Sequence, residues 1–192
     1  YFKSYDMTDL KGKPMNRYLL IDPAFEVKKD SDFTAMVSVG IDEFGNIFVL
    51  DIINDRLMPG QTIDLVFELY ENQHYTQIGI EEVTFGKTLQ YQIYDEMKKR
   101  GRFLPISKLK PGGRSKDARI MGLEPLYKSG KVFHNVNVRN ISGLEYQLTH
   151  YPRATNDDII DALAYACDIL APVRIRREAR STRRARHPPV PP

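Results

Sequence analysis

Acidic side chains stand where the chain's elements should start or stop. Asp22 closes an apolar run, Glu81 closes another, and Asp157, Asp158 and Asp161 crowd one short stretch. Carboxylates brought close together repel, so a folded protein gathers them only when something cationic offsets the cost. Hard divalent ions do this, because Mg²⁺ and Mn²⁺ prefer oxygen ligands. Two such ions about 4 Å apart can activate a water and stabilise the leaving oxygen in an in-line attack on phosphorus. Each residue also has an ordinary reading. Asp22 before Pro23 can be a turn residue, Glu81 a solvent-facing strand end, and Asp157 and Asp158 favourable charges at a helix start. Asp161 fits the last reading poorly. It shares a helix face with both, where like charges destabilise unless a ligand intervenes.

The elements that must position these groups follow from hydrophobic period. Tyr18–Asp22 reads as a buried strand stopped by Pro23, which has no N–H for a sheet ladder. After a polar loop, Glu26 to Ser31, a second strand is predicted over Thr34–Ile41. Asp42 to Asn46 carries hairpin chemistry, with Gly45 able to take positive φ, and a third strand over Ile47–Ile53 returns antiparallel. The period then changes. Ile63, Val66, Phe67 and Tyr70 mark one helix face entered near Pro59. Gln77–Ile80 is a short strand ending in Glu81-Glu82, followed by a helix over Lys87–Arg100 that stops at Gly101. A strand over Leu104–Ser107, a helix over Ser115–Ser129, a short strand at Val132–Phe133 and a last helix over Asp157–Leu170 complete the series. The fold class is α/β, a mixed sheet of three antiparallel strands then parallel strands, flanked by helices. Residues 1–16 read as an extension or linker, 17–172 as one folded domain, and 173–192 as a basic, Pro-rich, disordered tail.

Composition is that of a soluble globular chain, with 42% hydrophobic and 28% charged residues in 192. No apolar run approaches the roughly 20 residues that span a bilayer, and no secretory signal opens the chain. A start at Tyr1 rather than Met reads as a fragment or a processed product. A lone cysteine, Cys167, excludes an internal disulfide and a zinc site of several thiolates, and fits a reducing cytoplasm. The net charge of +3 conceals a division. Seven arginines against Glu178 give residues 173–192 a net +6, leaving residues 1–172 at −3. Clustered carboxylates offsetting phosphate-binding cations would produce that balance, and so would a bland acidic domain with a basic tail.

Basic residues mark where a polyanion could lie. Lys108, Lys110, Arg114, Lys116 and Arg119 surround Pro111-Gly112-Gly113, a loop rich in donors for phosphate, and are read as DNA contacts. Lys98, Lys99 and Arg100 lie at a helix C-terminus, where cations are favourable anyway. His74, His134, His150 and His187 lack metal-ligand spacing and read as surface or packing residues. Tyr91 and Tyr94 read as core or rim of their helix.

Four stretches in order resemble the nuclease domain of tailed-bacteriophage terminase large subunits. Ile21-Asp22-Pro23-Ala24 with Asp32-Phe33-Thr34-Ala35 resembles the first acidic motif of that family. Ile80-Glu81-Glu82 with Gly86 resembles the second, and the Gly five residues on selects Glu81 over Glu82. Gly113 to Ile120 resembles the Lys/Arg-bearing helix start. Asn156-Asp157-Asp158-Ile159-Ile160-Asp161-Ala162-Leu163-Ala164 is similar to the last motif, with Asn156 where members often carry His. The same pattern occurs in Holliday-junction resolvases and favours Asp158 with Asp161 over Asp157. The resemblance covers about residues 17 to 170 and implies a ribonuclease H-like fold. It also implies a metal-dependent endonuclease cutting double-stranded DNA during viral genome packaging, in the cytoplasm of the infected bacterial host. Asp22, Glu81 and Asp158 are the implied catalytic residues. The implied metal ligands are Asp22, Glu81, Asp158 and Asp161, with Asp157 a further candidate, around two Mg²⁺ or Mn²⁺ ions. Implied partners besides DNA are the ATPase domain of the same subunit, the portal and the small terminase, with no membrane. No G-x-x-x-x-G-K-S/T occurs, so no ATP site is expected here. The competing readings are a junction-resolving nuclease, a non-catalytic DNA-holding or assembly module, and a scaffold whose basic tail is the functional part.

Overall fold

The computed structural model describes residues 2–24, 33–82, 84–110 and 113–169. The loop Glu26 to Ser31, Asp32, Pro111 with Gly112, and the basic tail lie outside them. Strands β1 (Lys3–Ser4), β2 (Asn16–Asp22), β3 (Thr34–Ile41), β4 (Ile47–Asp55), β5 (Gln77–Glu81), β6 (Ile106–Leu109) and β7 (Val132–His134) form one sheet in the order β1-β7-β4-β3-β2-β5-β6. β2, β3 and β4 are an antiparallel meander. β5 lies parallel to β2, and β6 parallel to β5. The hairpin between β3 and β4 closes as its sequence suggests. The Asp42 carboxylate accepts from the backbone N–H groups of Phe44 and Asn46, and Gly45 takes φ +73°.

Strand alternation sorts side chains onto two faces. Leu19, Ile21, Met36, Ile78 and Ile80 pack against helices α1 (Pro59–Gln73) and α2 (Thr84–Arg100), through Ile63, Val66, Leu89 and Ile93. Tyr18, Leu20, Ala35, Val37 and Ile52 pack on the opposite face against α5 (Ile141–His150) and α6 (Asp158–Ala164), through Leu144, Ile160 and Leu163. β3 is buried along its whole length, as a central strand covered on both faces must be. Each fully buried aliphatic side chain of this size contributes about 1.5–3 kcal/mol.

Several expectations need correction. The stretch read as an extension is part of the sheet. β1 pairs with β7, and the buried Tyr5 hydroxyl donates to the carbonyl of Val49 at 2.7 Å. The single helix expected over Ser115–Ser129 is two, α3 (Lys116–Met121) and α4 (Glu124–Lys128). The break falls at Gly122, and Pro125 sits in the first turn of α4, where its missing N–H is harmless. The last helix also divides, into α6 and α7 (Ala166–Ile169), on either side of Tyr165. Helix α5 was not anticipated. Its buried positions are Ile141, Leu144 and Gln147, Leu148 packs beside them, and Gln147 Oε1 accepts from Ile160 N–H. β6 starts two residues later than expected, past Pro105.

Candidate active site

Asp22 shares its strand face with Leu20 and Tyr18, so it points to the side covered by α6 rather than to α1 and α2. β2 and β5 run parallel with Ile21 opposite Ile80, which brings the next residues on each strand, Asp22 and Glu81, to the same end of the sheet. Glu81 is 8% exposed. Glu82, one residue on, is turned the other way and is held by Lys108 at 3.1 Å and Lys110 at 3.7 Å. The sheet face alone therefore separates the two adjacent glutamates.

The chain leaves Glu81 for α2 through a tight turn that needs Gly86. A Cβ built on Gly86 would lie 1.9 Å from the Glu81 carbonyl oxygen. Backbone cannot yield as a side chain can, so Gly86→Ala must shift the start of α2 or the end of β5. We expect a loss of about 3 kcal/mol in denaturant unfolding, together with most of any activity that depends on Glu81. An unfolding midpoint equal to wild type would mean that this turn is looser than the close approach implies.

The third carboxylate comes from α6. Asp161 is one turn into the helix, buried at 5% exposure, with its N–H bonded to the Asp157 carbonyl. Asp158 occupies the first turn and is half-buried, and Asp157 is the N-cap position. α3 packs against α6 and supplies two cations from one face, Lys116 and Arg119, at i and i+3. The Lys116 ammonium lies 2.7 Å from Asp157 Oδ1 and 3.3 Å from Asp161 Oδ2. The Arg119 guanidinium lies 2.6 Å from Asp161 Oδ1 and 3.8 Å from Glu81 Oε1. Both oxygens of Asp161 thus face a cation of the chain.

These contacts set the protonation equilibria. Burial pushes the Asp22 carboxyl well above the usual carboxylate range. A hydrogen bond with Glu81 and the negative charges of Glu81 and Asp161 push it further, against the pull of Lys116. Burial opposes the charge on Lys116, but Asp157 and Asp161 outweigh it and push the ammonium up to about 12. Burial likewise opposes Arg119, and Asp161 with Glu81 outweighs it.

Among the described residues, no set of three or more His, Cys, Asp or Glu side chains is arranged to hold a metal ion as it stands. The expected ligands are instead satisfied internally. Asp22 and Glu81 share a hydrogen bond, while Asp161 and Asp157 are paired with Lys116 and Arg119. The donor set still fits a hard divalent ion. It is all oxygen, and two carboxyl groups held together by a proton, Glu81 buried and Asp22 half-buried, offer a place where a cation could replace that proton.

The expected DNA contacts divide. Lys108 and Lys110 are exposed at the rim beside Glu82, and Arg114 pairs with Asp168. Lys116 is partly exposed at the edge of the carboxylate group. Arg119 is a correction. At 5% exposure, and with its guanidinium 4.7 Å from the centre of the Tyr165 ring, it has no surface to offer a phosphate and serves the acidic cluster instead. Tyr165 is the participant that sequence reasoning missed. Its hydroxyl donates to Glu81 Oε1 at 2.6 Å. Its spacing of four from Asp161 on one helix face was the available signal.

The sheet order, the meander leading into parallel strands, and carboxylates from β2, β5 and α6 define a ribonuclease H-like domain. The sequence profile described as "Terminase RNaseH-like domain" matches residues 19–168, and the chain belongs to that family. Solved structures share the fold at low identity. The nuclease domain of the large terminase subunit gp2 of bacterial virus Sf6, with manganese and beta-thujaplicinol, superposes with a TM-score of 0.59 at 13% identity. That match covers 81% of this chain and 89% of that one. The HK97 bacteriophage large terminase gives 0.57 at 14%, covering 80% of this chain, which spans only 39% of that protein. The yeast mitochondrial Holliday junction resolvase Ydc2 gives 0.51 at 15%, covering 81% and 79%. No curated protein sequence matches the chain. Among the described residues, no helix is long and apolar enough to cross a membrane.

Proposed function

We propose that the chain is a divalent-metal-dependent endonuclease that hydrolyses phosphodiester bonds of double-stranded DNA during viral genome packaging. The observation that carries this reading is the convergence of Asp22, Glu81 and Asp161, from three separate elements, on one largely buried group flanked by Lys116 and Arg119. A purely structural acidic cluster would gain more by replacement with apolar packing, since buried ion pairs are costly to desolvate. Asp22, Glu81, Asp158 and Asp161, with Asp157 as a further candidate, would hold Mg²⁺ or Mn²⁺, in the two-ion arrangement that the resemblance implies. Bound there, such ions neutralise phosphate oxygens and lower the pKa of water. The chain's own contributions are separate. Lys108, Lys110 and Arg114 offer exposed cations for backbone phosphates, a contact that carries no sequence preference. Lys116, at the edge of the carboxylate group, can turn from Asp157 toward a phosphate without leaving the site. Membership of the terminase family and the 39% span of the HK97 protein support a role beside an ATPase domain of the same subunit, with portal and small terminase as partners in the host cytoplasm.

Plasmid nicking is the test. Cleavage is expected with Mg²⁺ or Mn²⁺, to vanish in EDTA, and not to be supported by Ca²⁺, whose looser coordination orients ligands poorly. Robust cleavage in EDTA would remove the metal mechanism. A second reading, a junction-resolving nuclease, is favoured by the match to Ydc2 over most of both chains. Symmetric cutting of four-way junctions in preference to linear duplex would select it.

A further inference from the structure

We infer that Tyr165 is a positioning residue that fixes the Glu81 carboxylate, committing Oε1 to the protein and leaving Oε2 as the oxygen offered to a divalent ion. The inference rests on the metal-dependent reading above and goes beyond it by assigning a role to a residue outside the acidic motifs.

The geometry is specific. Tyr165 is the largest fully buried side chain of the molecule among the described residues, with 0% exposure. A buried tyrosine needs a partner for its hydroxyl, and this one donates to Glu81 Oε1 at 2.6 Å, a short bond of the kind made to an anionic acceptor. Arg119 lies over the ring at 4.7 Å to its centre, while its Nη2 reaches Asp161 Oδ1 at 2.6 Å and comes within 3.8 Å of Glu81 Oε1. One aromatic ring is therefore held between a strand-end carboxylate and a helix cation. Tyr165 sits one turn past Asp161, at the junction of α6 and α7, so the helix that presents Asp161 also aligns Glu81.

The hydroxyl is not required for packing. The ring's burial and its contact with Arg119 would survive its removal, and Glu81 would keep the Arg119 charge nearby. What would be lost is the directional hold on one carboxylate oxygen. A glutamate has three rotatable bonds, and without that bond it must give up rotamer freedom when it takes an ion. Partners that orient a ligand in this way are commonly worth about 10–100-fold in metal affinity or activity.

The test is calorimetric titration of Mn²⁺ into the wild-type chain and Tyr165→Phe, with melting temperatures and nicking at limiting and saturating Mn²⁺. The expected result is Mn²⁺ binding weakened about tenfold in Tyr165→Phe. Nicking should be strongly reduced at limiting Mn²⁺ and largely restored at saturation. A purely structural hydroxyl would lower the melting temperature and leave the Mn²⁺ affinity alone, so an affinity within twofold of wild type overturns the proposal whatever the melting temperature does. Glu81→Asp with and without Tyr165→Phe supplies a second measurement. The shorter side chain draws the carboxylate away from the hydroxyl, so the Tyr165→Phe effect should largely disappear in that background. A full tenfold effect persisting there would show that Tyr165 acts by another route. A wild-type chain that binds no Mn²⁺ removes the metal reading itself, and this inference with it.

Discussion

Asp22→Asn and Glu81→Gln are each expected to abolish DNA cleavage while leaving the melting temperature of the EDTA-treated protein equal to or above that of wild type. The two effects have one electrostatic origin. Asp22 is half-buried beside Glu81 and Asp161, and desolvation, the hydrogen bond to Glu81 and both negative charges disfavour its ionised form. A carboxyl whose folded pKa is raised above its unfolded value loses stability for the protein as pH rises from the unfolded range toward the folded one. Asparagine has the same shape and nothing to ionise. The Asp22→Asn protein should therefore melt higher than wild type at neutral pH, and the difference should close as pH falls toward about 3.9, the ordinary aspartate value. Each kcal/mol of relieved repulsion is worth about 2–4 °C in a domain of this size. In cleavage the same change removes a ligand charge where the reaction needs it. Glu82→Gln is the internal control. Glu82 lies on the other face, against Lys108 and Lys110, and its loss should be mild. Nicking assays and pH-dependent melting of the three variants decide the matter. Near wild-type cutting by Asp22→Asn would refute the site, and a dead Glu82→Gln beside an active Glu81→Gln would exchange the roles of the two glutamates.

What the sequence made legible was whatever a period or a chain break announces. Asp22 and Glu81 could be placed because an apolar run ends at each, and a strand's alternation of two then decides which neighbour shares the face. The meander was legible because Asp42 and Gly45 write their turn locally. Facts created by packing between distant elements were not. Arg119 on a Lys/Arg-dotted helix reads as solvent-facing, and only the docking of α3 on α6 turns it into a buried partner of Asp161. Tyr165 drew no reading from the sequence; its ring is core, and the bond from its hydroxyl to Glu81 spans 84 positions of sequence. Helix α5 was overlooked although Ile141, Leu144 and Leu148 carry a helical spacing, while the contact of its Gln147 with the backbone of α6 is made by packing alone. β1 is two residues long and is defined by its neighbour β7 rather than by any pattern of its own.

The emphasis within the last acidic motif shifts for the same reason. Asp158 and Asp161 share a helix face, and the family resemblance implies Asp158 as catalytic with Asp161 as a further metal ligand. In the fold, Asp161 is the carboxylate that takes both cations of α3 and contributes to the electrostatics of Asp22. Asp158, in the first turn and half-buried, is better placed to meet a ligand arriving from solvent.

Arg119 is accordingly the residue whose loss should cost the fold most. Arg119→Met keeps much of the side chain's length and apolar stem but removes the charge from a group 5% exposed, leaving Asp161 with Lys116 alone and Glu81 with no guanidinium nearby. Removing one partner of a buried pair strands the other charge, typically at about 3–5 kcal/mol, and a loss in that range is expected in denaturant unfolding without metal. The direction is opposite to that for Asp22→Asn, although both changes remove an ionisable group from the same cluster. Asp22 is a carboxyl whose ionised form its acidic neighbours oppose, whereas Arg119 is the cation that makes their approach tolerable. Combining Arg119→Met with Asp161→Leu should recover part of the loss, because a well-packed apolar pair can replace a buried ion pair. Divalent ions supply a second discriminator. If Arg119 offsets the carboxylates as a metal would, Mg²⁺ should raise the melting temperature of Arg119→Met more than that of wild type, by the linkage between binding and folding. An unfolding free energy within 1 kcal/mol of wild type, together with an equal response to Mg²⁺, would mean that Arg119 is a packing residue whose charge the cluster does not need.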